Sequence, residues 1–491
     1  MTRSTTKTVV SSTLLLVLFS MTTACVNLAP QYERPSAPIA ANYDLPDYYK
    51  TSISSDNDVL ETQATTDPIL TIFLDKRLQG VINLALENNR DLRTATLNIA
   101  KARAQYGVQD AATFPTINAE GITNTSRVPA DLSGTGRSQI NRQYSISLGT
   151  TAYEFDFFSR VKNLKSQALE QFYATEEARQ TVRISLVAEV ANTWFNWYAD
   201  TDLLAVSQNL LNSQKETLSL IQKRFDIGDI TALTLHQQEI AVANAQAEVE
   251  RLNGQNAKDR NALTLLLGTS VPEEFSPTAL GQAITLYGGD MLTIVPVGLP
   301  SDLMLRRPDI LQSEHVLKAA NANIGVARAA FYPSIKLTAN AGISSAALSG
   351  LFESGSGAWT FAPQISLPIF NNGANKANLK IAETERDIAI SNYEKSIQTA
   401  FREVSDALVE RSRISKQMEA QNALLEASGK TFELTKARYD IGIDSWLDLL
   451  NAQRSYTSAH TALINLYAAQ LNNSVTLYKV LGGDWKKETE S

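Results

Sequence analysis

Apolar residues recur every three or four positions along most of this chain, and four short stretches switch to alternation. The first period is that of a helix and the second that of a strand. Helical pattern begins near Leu74, runs through Leu78, Val81, Ile82, Leu84 and Leu86 to Asn88-Asn89, and resumes from Asp91 to about Ala112. Phe114-Pro115 changes the period. Ile117, Ala119 and Gly121 alternate with Asn118 and Glu120, although Ile122 breaks the alternation. After a polar loop over about 126–141, Tyr144, Ile146 and Leu148 alternate. Their apolar phase then slips to Tyr153, Phe155 and Phe157, which predicts a β-bulge. From Thr150 to Ile227 there is no Gly and no Pro, a helix-permissive run far beyond the globular mean. A helix over about 158–227 would reach roughly 100 Å at ~1.5 Å per residue. Within it Val182, Leu186, Val190, Trp194 and Tyr198 form one i,i+4 row. With Phe195 and Trp197 this row reads as helix-pair core; a ligand-binding aromatic patch is the alternative. A second helix over about 232–267 ends at Gly268.

The cycle then restarts. Arg307-Pro308-Asp309 is a helix start, with Pro in the first turn and an acid behind it. Tyr332-Pro333 matches Phe114-Pro115. Ile335, Leu337, Ala339 and Ala341 alternate with polar residues, Gly342 to Gly357 is a small-residue loop, and Trp359, Phe361, Ile365, Leu367 and Ile369 alternate again. Helices over about 374–440 and 444–481 follow. The two turns between long helices repeat as well: Arg224, Asp226, Ile227 and Gly228 recur at Arg438, Asp440, Ile441 and Gly442, a shift of about 214 positions. The expected organisation is therefore a signal segment over 1–24, an extended Pro-containing segment over 25–73, a first repeat over 74–268, a connector over 269–300, a second repeat over 301–482 and a tail over 483–491. The first repeat has strands about 115–125 and 142–157, and the second about 333–342 and 358–370.

Four strands of about ten residues with alternating polarity signal a membrane β-barrel. Four are too few to close one, so the chain must pool strands with copies of itself. Three copies would give 12 strands, with the long helices packed as antiparallel coiled coils. The sequence states the need for assembly but not the number three.

Composition narrows the function. The chain has 491 residues, 44% apolar, ample for a large core. Its formal charge is −7, and removing residues 1–24, which carry Arg3 and Lys7 and no acid, leaves −9. That balance argues against nucleic acid as a partner. No P-loop, dinucleotide fingerprint or run of about 20 apolar residues occurs. His236, His315 and His460 are scattered without metal-ligand spacing, and no G-x-S-x-G occurs. Neither an enzyme nor a metal site nor a cofactor is expected. Arg3, Lys7 and the run Leu14 to Met21 form a secretion signal. Cys25, the only cysteine, follows Thr22-Thr23-Ala24 and resembles the acylated residue of a bacterial lipobox, with Thr22 where Leu is usual. Simple signal cleavage beside a stray cysteine is the alternative. Val26, not Asp, follows it, which by that resemblance implies sorting to the outer membrane.

In order along the chain stand Asn27-Leu-Ala-Pro-Gln-Tyr-Glu-Arg-Pro35, Arg307-Pro-Asp-Ile310, Val326-Ala-Arg-Ala-Ala-Phe-Tyr-Pro333, Ser366-Leu-Pro-Ile-Phe370, Arg438-Tyr-Asp-Ile-Gly442 and Leu449-Leu-Asn-Ala-Gln-Arg454. With these the mature chain resembles the TolC-like outer-membrane factors of Gram-negative efflux pumps, in their lipoprotein branch. The resemblance implies a mainly α fold with membrane β. A trimeric 12-stranded barrel would be continuous with a periplasmic α-helical barrel that closes at a tip. It implies a passive gated duct for drugs or other small toxic compounds, docked on a periplasmic adaptor that couples it to an inner-membrane pump of the resistance-nodulation-division type. Asp448 falls on an acidic gate position of the family. Asn451 stands where a second acid is common, and Arg454 is a candidate gate partner beside Leu447. Thr234 matches Asp448 in the first repeat, so the two turns are not equivalent. Arg224, Gly228, Arg438 and Gly442 would form the adaptor-docking tip. A solvated helix face is the bland alternative for Asp448, and helix capping for the arginines. A type I-like protein secretion duct and a structural coiled-coil envelope lipoprotein remain the competing functions.

Overall fold

The computed structural model describes residues 26–39, 73–279 and 306–483. The signal segment, Cys25, most of the connector and nearly all of the tail lie outside them. The elements follow in the order α1 (Lys76–Asn88), α2 (Arg90–Ala111), β1 (Asn118–Val128), β2 (Gln139–Phe155), α3 (Arg160–Asp226), α4 (Ala232–Leu267), α5 (Pro308–Ala329), β3 (Ser334–Ser345), β4 (Gly357–Ser366), α6 (Ala374–Asp440) and α7 (Trp446–Val480). None of these helices is long and apolar enough to cross a membrane. The described residues fall into two compact units. One holds 98–176 and 312–393 with the N-terminal stretch to residue 36, and the other holds the remainder.

The first unit is built on one antiparallel sheet of order β1-β2-β3-β4. Its register puts Ala119, Leu148, Ala341 and Trp359 in one cross-strand row, and Phe155, Ile335 and Ile365 in another. Asn118, Gly149, Asn340 and Thr360 form the adjacent row, and Glu154, Lys336 and Gln364 a further one. Since neighbours along a strand point to opposite faces, these rows put an apolar band on one face of the sheet and polar residues behind it, while Thr125, Arg127 and Arg142 follow on the first face toward the loop end. The register shifts between Thr150 and Tyr153, where Ala152 has φ 56°. This bulge returns Tyr153 and Phe155 to the face already held by Ile146 and Leu148. Ile122 lies on the polar face, which is why it broke the sequence pattern. Several strand bounds differ from expectation by a few residues: β1 runs on to Val128 and β3 to Ser345, β2 starts at Gln139, and two ends retreat. β1 starts at Asn118 rather than near 115, because Thr113 and Phe114 still donate back to Asp110 and Ala111 at the end of α2. β4 ends at Ser366 rather than near 370, because Pro368 has no N–H to offer a ladder. Pro363 sits inside β4, which the sheet tolerates on an edge strand.

Residues 26–34 run alongside the sheet foot and α5. Val26 N donates to Phe157 O at 3.2 Å, Arg328 Nη1 to Leu28 O at 3.2 Å, and Asn321 Nδ2 to Pro30 O at 2.8 Å. At the end of the stretch Arg34 grips buried Glu314 through two bonds, joined by Lys318 at 3.1 Å and the Tyr32 hydroxyl at 3.2 Å.

In the second unit the i,i+4 row of α3 is core. Trp194 is fully buried, stacks on Tyr198 at 5.5 Å and donates its indole N–H to Phe275 O at 3.1 Å. Val81 and Ile82 of α1, Leu263 and Leu267 of α4, and Leu463, Tyr467, Leu471 and Val475 of α7 complete the cluster. Asn89 separates α1 from α2: its Oδ1 accepts from Leu92 N at 2.9 Å and its Nδ2 donates to Leu266 O at 2.8 Å. Buried Arg307 donates at 2.8 Å each to Val480 O, Asp309 and Glu403, fastening the start of α5 to α6 and the end of α7.

Candidate functional site

The two turns predicted as a docking tip share one backbone solution. Gly228 N donates to Phe225 O and Asp229 N to Arg224 O, both at 2.9 Å. Gly442 N donates to Tyr439 O and Ile443 N to Arg438 O, also at 2.9 Å. Each pair of crossed bonds is a Schellman motif, which satisfies carbonyls that a helix end leaves bare. It demands a left-handed residue, and Gly228 and Gly442 supply it with φ 78° and 79°. Open space surrounds both glycines.

Arg224 and Arg438 do more than face a helix C-terminus. Arg224 Nε donates to Asp229 Oδ2 at 2.7 Å and its Nη1 to the Tyr439 hydroxyl at 3.4 Å. Arg438 holds Asp444 through two bonds of 2.8 Å. The hydrogen bond from Arg438 keeps the Asp444 carboxyl below its ordinary range. Tyr439 meets Trp446 edge to face at 5.6 Å. Asp229, Tyr439, Asp444 and Trp446 were not among the predicted site residues. The signal was an acid five or six residues beyond each arginine, on the far side of a glycine.

Asp448 begins α7 as the third residue after its N-cap. Ser445 Oγ accepts from Asp448 N at 3.2 Å, and Asp448 Oδ2 accepts from Ser445 N at 3.2 Å and from Ser445 Oγ at 2.5 Å. This is a reciprocal capping box. Thr231 and Thr234 hold the matching positions on α4, with Thr234 N donating to Thr231 Oγ1 at 3.4 Å. Asp448, Asn451 and Arg454 are all exposed, as is Leu447, whereas Leu449, Leu450 and Ala452 are buried. The structure therefore brings the four predicted residues to the solvent side of one helix. Arg454 makes no ion pair among the described residues and lines a cavity of about 300 Å³ with Gln214 and Gln453. Thr234 is on a different helix and is only half-buried.

The histidines do not converge. His236 pairs with Glu239 on the surface, His315 with Glu170 at 2.7 Å, and His460 is buried beside Tyr456. Among the described residues no three His, Cys, Asp or Glu side chains are grouped to hold a metal ion.

The sequence model of the family described as outer membrane efflux protein matches residues 81–269 and 299–483. The chain is 45% identical over 463 residues to the antibiotic efflux pump outer membrane protein ArpC of Pseudomonas putida, covering 94% of this chain and 93% of that one. It has the same identity over the same length to the toluene efflux pump outer membrane protein TtgC of Pseudomonas putida, again covering 94% and 93%. The crystal structure of the open state of the Neisseria gonorrhoeae MtrE outer membrane channel superimposes with a TM-score of 0.80 at 34% identity, over 95% of this chain and 100% of that one. This chain, with its long helices and four-stranded sheet, belongs to the outer membrane efflux protein family.

Proposed function

We propose that three copies of this chain close into an outer-membrane barrel and a periplasmic helical duct, through which a pump expels small organic toxicants. The observation that carries the reading is the sheet. It has four strands, two edges without a partner strand among the described residues, and on one face an apolar row that crosses every strand. Bare edges and an apolar face both need covering, and closure with other copies inside a bilayer covers both. Bacterial barrels use about eight strands or more, so one chain is not enough. The antibiotic and toluene pumps named for the relatives support drugs and solvents as the cargo class.

The gate is the exposed face of α7. Three symmetry-related Asp448 carboxylates would form an acidic ring that favours cations at a narrow pore, with Asn451 and Arg454 on the turns that follow and Leu447 beside them. The docking tip is the pair of Schellman turns. Ile227, Ile441 and Ile443 are exposed there, and the glycines leave room for a close helical hairpin from a periplasmic adaptor, itself joined to an inner-membrane pump. Cys25 carries the lipid anchor, and Val26–Arg34 tie that end of the chain to Phe157 and α5.

Liposome swelling with the purified protein, beside its native mass, tests this reading. The expected result is a trimer that admits small sugars. A protein that inserts as a monomer and leaves permeability unchanged would contradict it.

A further inference from the structure

The β1–β2 hairpin carries its positive charge on one side. Between Gly121 and Tyr153 stand three arginines, Arg127, Arg137 and Arg142, and a single acid, Asp131, in a chain whose formal charge is −7. All three arginines are exposed, and none makes an ion pair among the described residues. Arg127 Nε donates to Ser138 Oγ at 3.2 Å, across the turn that also holds Arg137. The register sets Arg142 opposite Thr125 and Arg127 opposite Ile140, on the face that Ile146 and Leu148 hold nearer the foot of the sheet. At the same height the other face pairs Asn124 with Gln143, Ser126 with Asn141 and Val128 with Gln139, and carries no charge.

This placement is the reverse of what solvation alone asks. Neutral amides and hydroxyls face the side read as a water-filled lumen, and cations face the side read as lipid. An arginine on the lipid face is strongly unfavourable at mid-bilayer and tolerated near the interface. The height fits the interface. Ile335 pairs with Phe155 at the foot of the sheet, Ser345, ten positions on, pairs with Tyr144, and Arg142 stands two positions beyond Tyr144. At ~3.4 Å per residue and a tilt of about 40°, that puts Arg142 roughly 30 Å above Ile335, past an apolar band of about 25 Å. Tyr144, one row lower on the same face, holds the level at which aromatic rings line a membrane interface. The lipid at that level of a Gram-negative outer leaflet is a glycolipid bearing phosphates. A guanidinium fork matches a phosphate with two parallel N–H···O bonds and keeps its charge at any physiological pH. We propose that Arg127, Arg137 and Arg142 form a rim site for the phosphate groups of the outer-leaflet glycolipid, holding it against the first hairpin of the barrel. The proposal rests on the reading of the sheet as a barrel wall with its loops outside.

The test is native mass spectrometry of the purified full-length protein with diphosphoryl lipid A, dephosphorylated lipid A and phosphatidylglycerol in turn. Arg127→Gln with Arg142→Gln should weaken retention of diphosphoryl lipid A about fivefold for each arginine, the worth of one basic residue near an anionic membrane surface. Arg127→Lys with Arg142→Lys keeps the charge and should keep most of the binding. Dephosphorylated lipid A should bind the wild type and the Gln variant alike. Equal retention of diphosphoryl lipid A by the wild type and the Gln variant would overturn the site, as would equal loss in the Gln and Lys variants. Phosphatidylglycerol retained as well as diphosphoryl lipid A would overturn the glycolipid as its occupant. Labelling of Ala130→Cys on intact cells, with a maleimide that does not cross membranes, checks the orientation separately. A labelled cysteine with no arginine dependence overturns the rim site alone; an unlabelled one in inserted protein overturns the barrel reading beneath it.

Discussion

Arg438 and Asp444 face each other through two hydrogen bonds of 2.8 Å, and Arg224 repeats the contact with Asp229 although the acids do not occupy matching positions. Asp229-Ile230 of the first turn corresponds to Ile443-Asp444 of the second, so the repeat has transposed the pair and each arginine has followed its acid. Both arginines and Asp229 are exposed and Asp444 is half-buried, and pairs this open to water add little stability. The glycines are different. Gly442→Ala should cost about 1 kcal/mol through left-handed strain alone, since a Cβ there meets nothing, and Gly442→Asn should cost less. Amide exchange of the tip measures this; equal protection in both variants would contradict the motif.

The Arg34–Glu314 contact predicts a pH threshold for the N-terminal stretch. Burial pushes the Glu314 carboxyl up, but hydrogen bonds from Arg34 and Lys318 more than offset it and hold it below the ordinary range. The stabilisation is therefore complete above the unfolded value of about 4.3, and is lost as pH falls through the lower folded value. Proteolysis within 26–39 should stay slow from pH 5 to 8 and accelerate only below about pH 4. Arg34→Gln should move the onset upward.

His460 gives a second pH dependence of separate origin. Burial pushes its pKa down, so the folded protein refuses a proton that the unfolded chain takes near pH 6.5. Stability should fall as pH drops below about 6.5, and His460→Leu should flatten that part of the profile. Denaturation midpoints at about pH 5 and pH 7.5 check the difference.

The cross-strand rows predict which substitutions a bilayer rejects. Leu337→Arg or Ile365→Arg, on the apolar face, should lower the yield of assembled protein, at a cost that reaches about 2–4 kcal/mol at mid-bilayer and is smaller for Ile365, next to the end of β4. Gln364→Arg, one residue from Ile365 on the polar face, should be tolerated. The reverse pattern would mean that the lipid and water faces are exchanged.

The long helices and the alternating strands were legible because their signals are local. A run without Gly or Pro permits helix, and alternation marks a two-faced strand. The phase slip at Tyr153 even announced the bulge. Strand ends were misplaced where a helix exit at Phe114 or a proline at position 368 decided the ladder. The clamps were not legible for the opposite reason. Arg307 meets Glu403 and Val480 from 96 and 173 positions away, and Arg34 meets Glu314 from 280. No local pattern encodes such pairs. Asp448 also caps α7 through Ser445, a role that the family resemblance does not imply.

Single-channel conductance in a planar bilayer, wild type beside Asp448→Asn, tests the gated duct most directly. Asn keeps an acceptor for Ser445 while removing the charge, so the helix start survives. A small, flickering wild-type current that rises in the variant is the predicted result. No current from either protein, once insertion is demonstrated, would contradict the account.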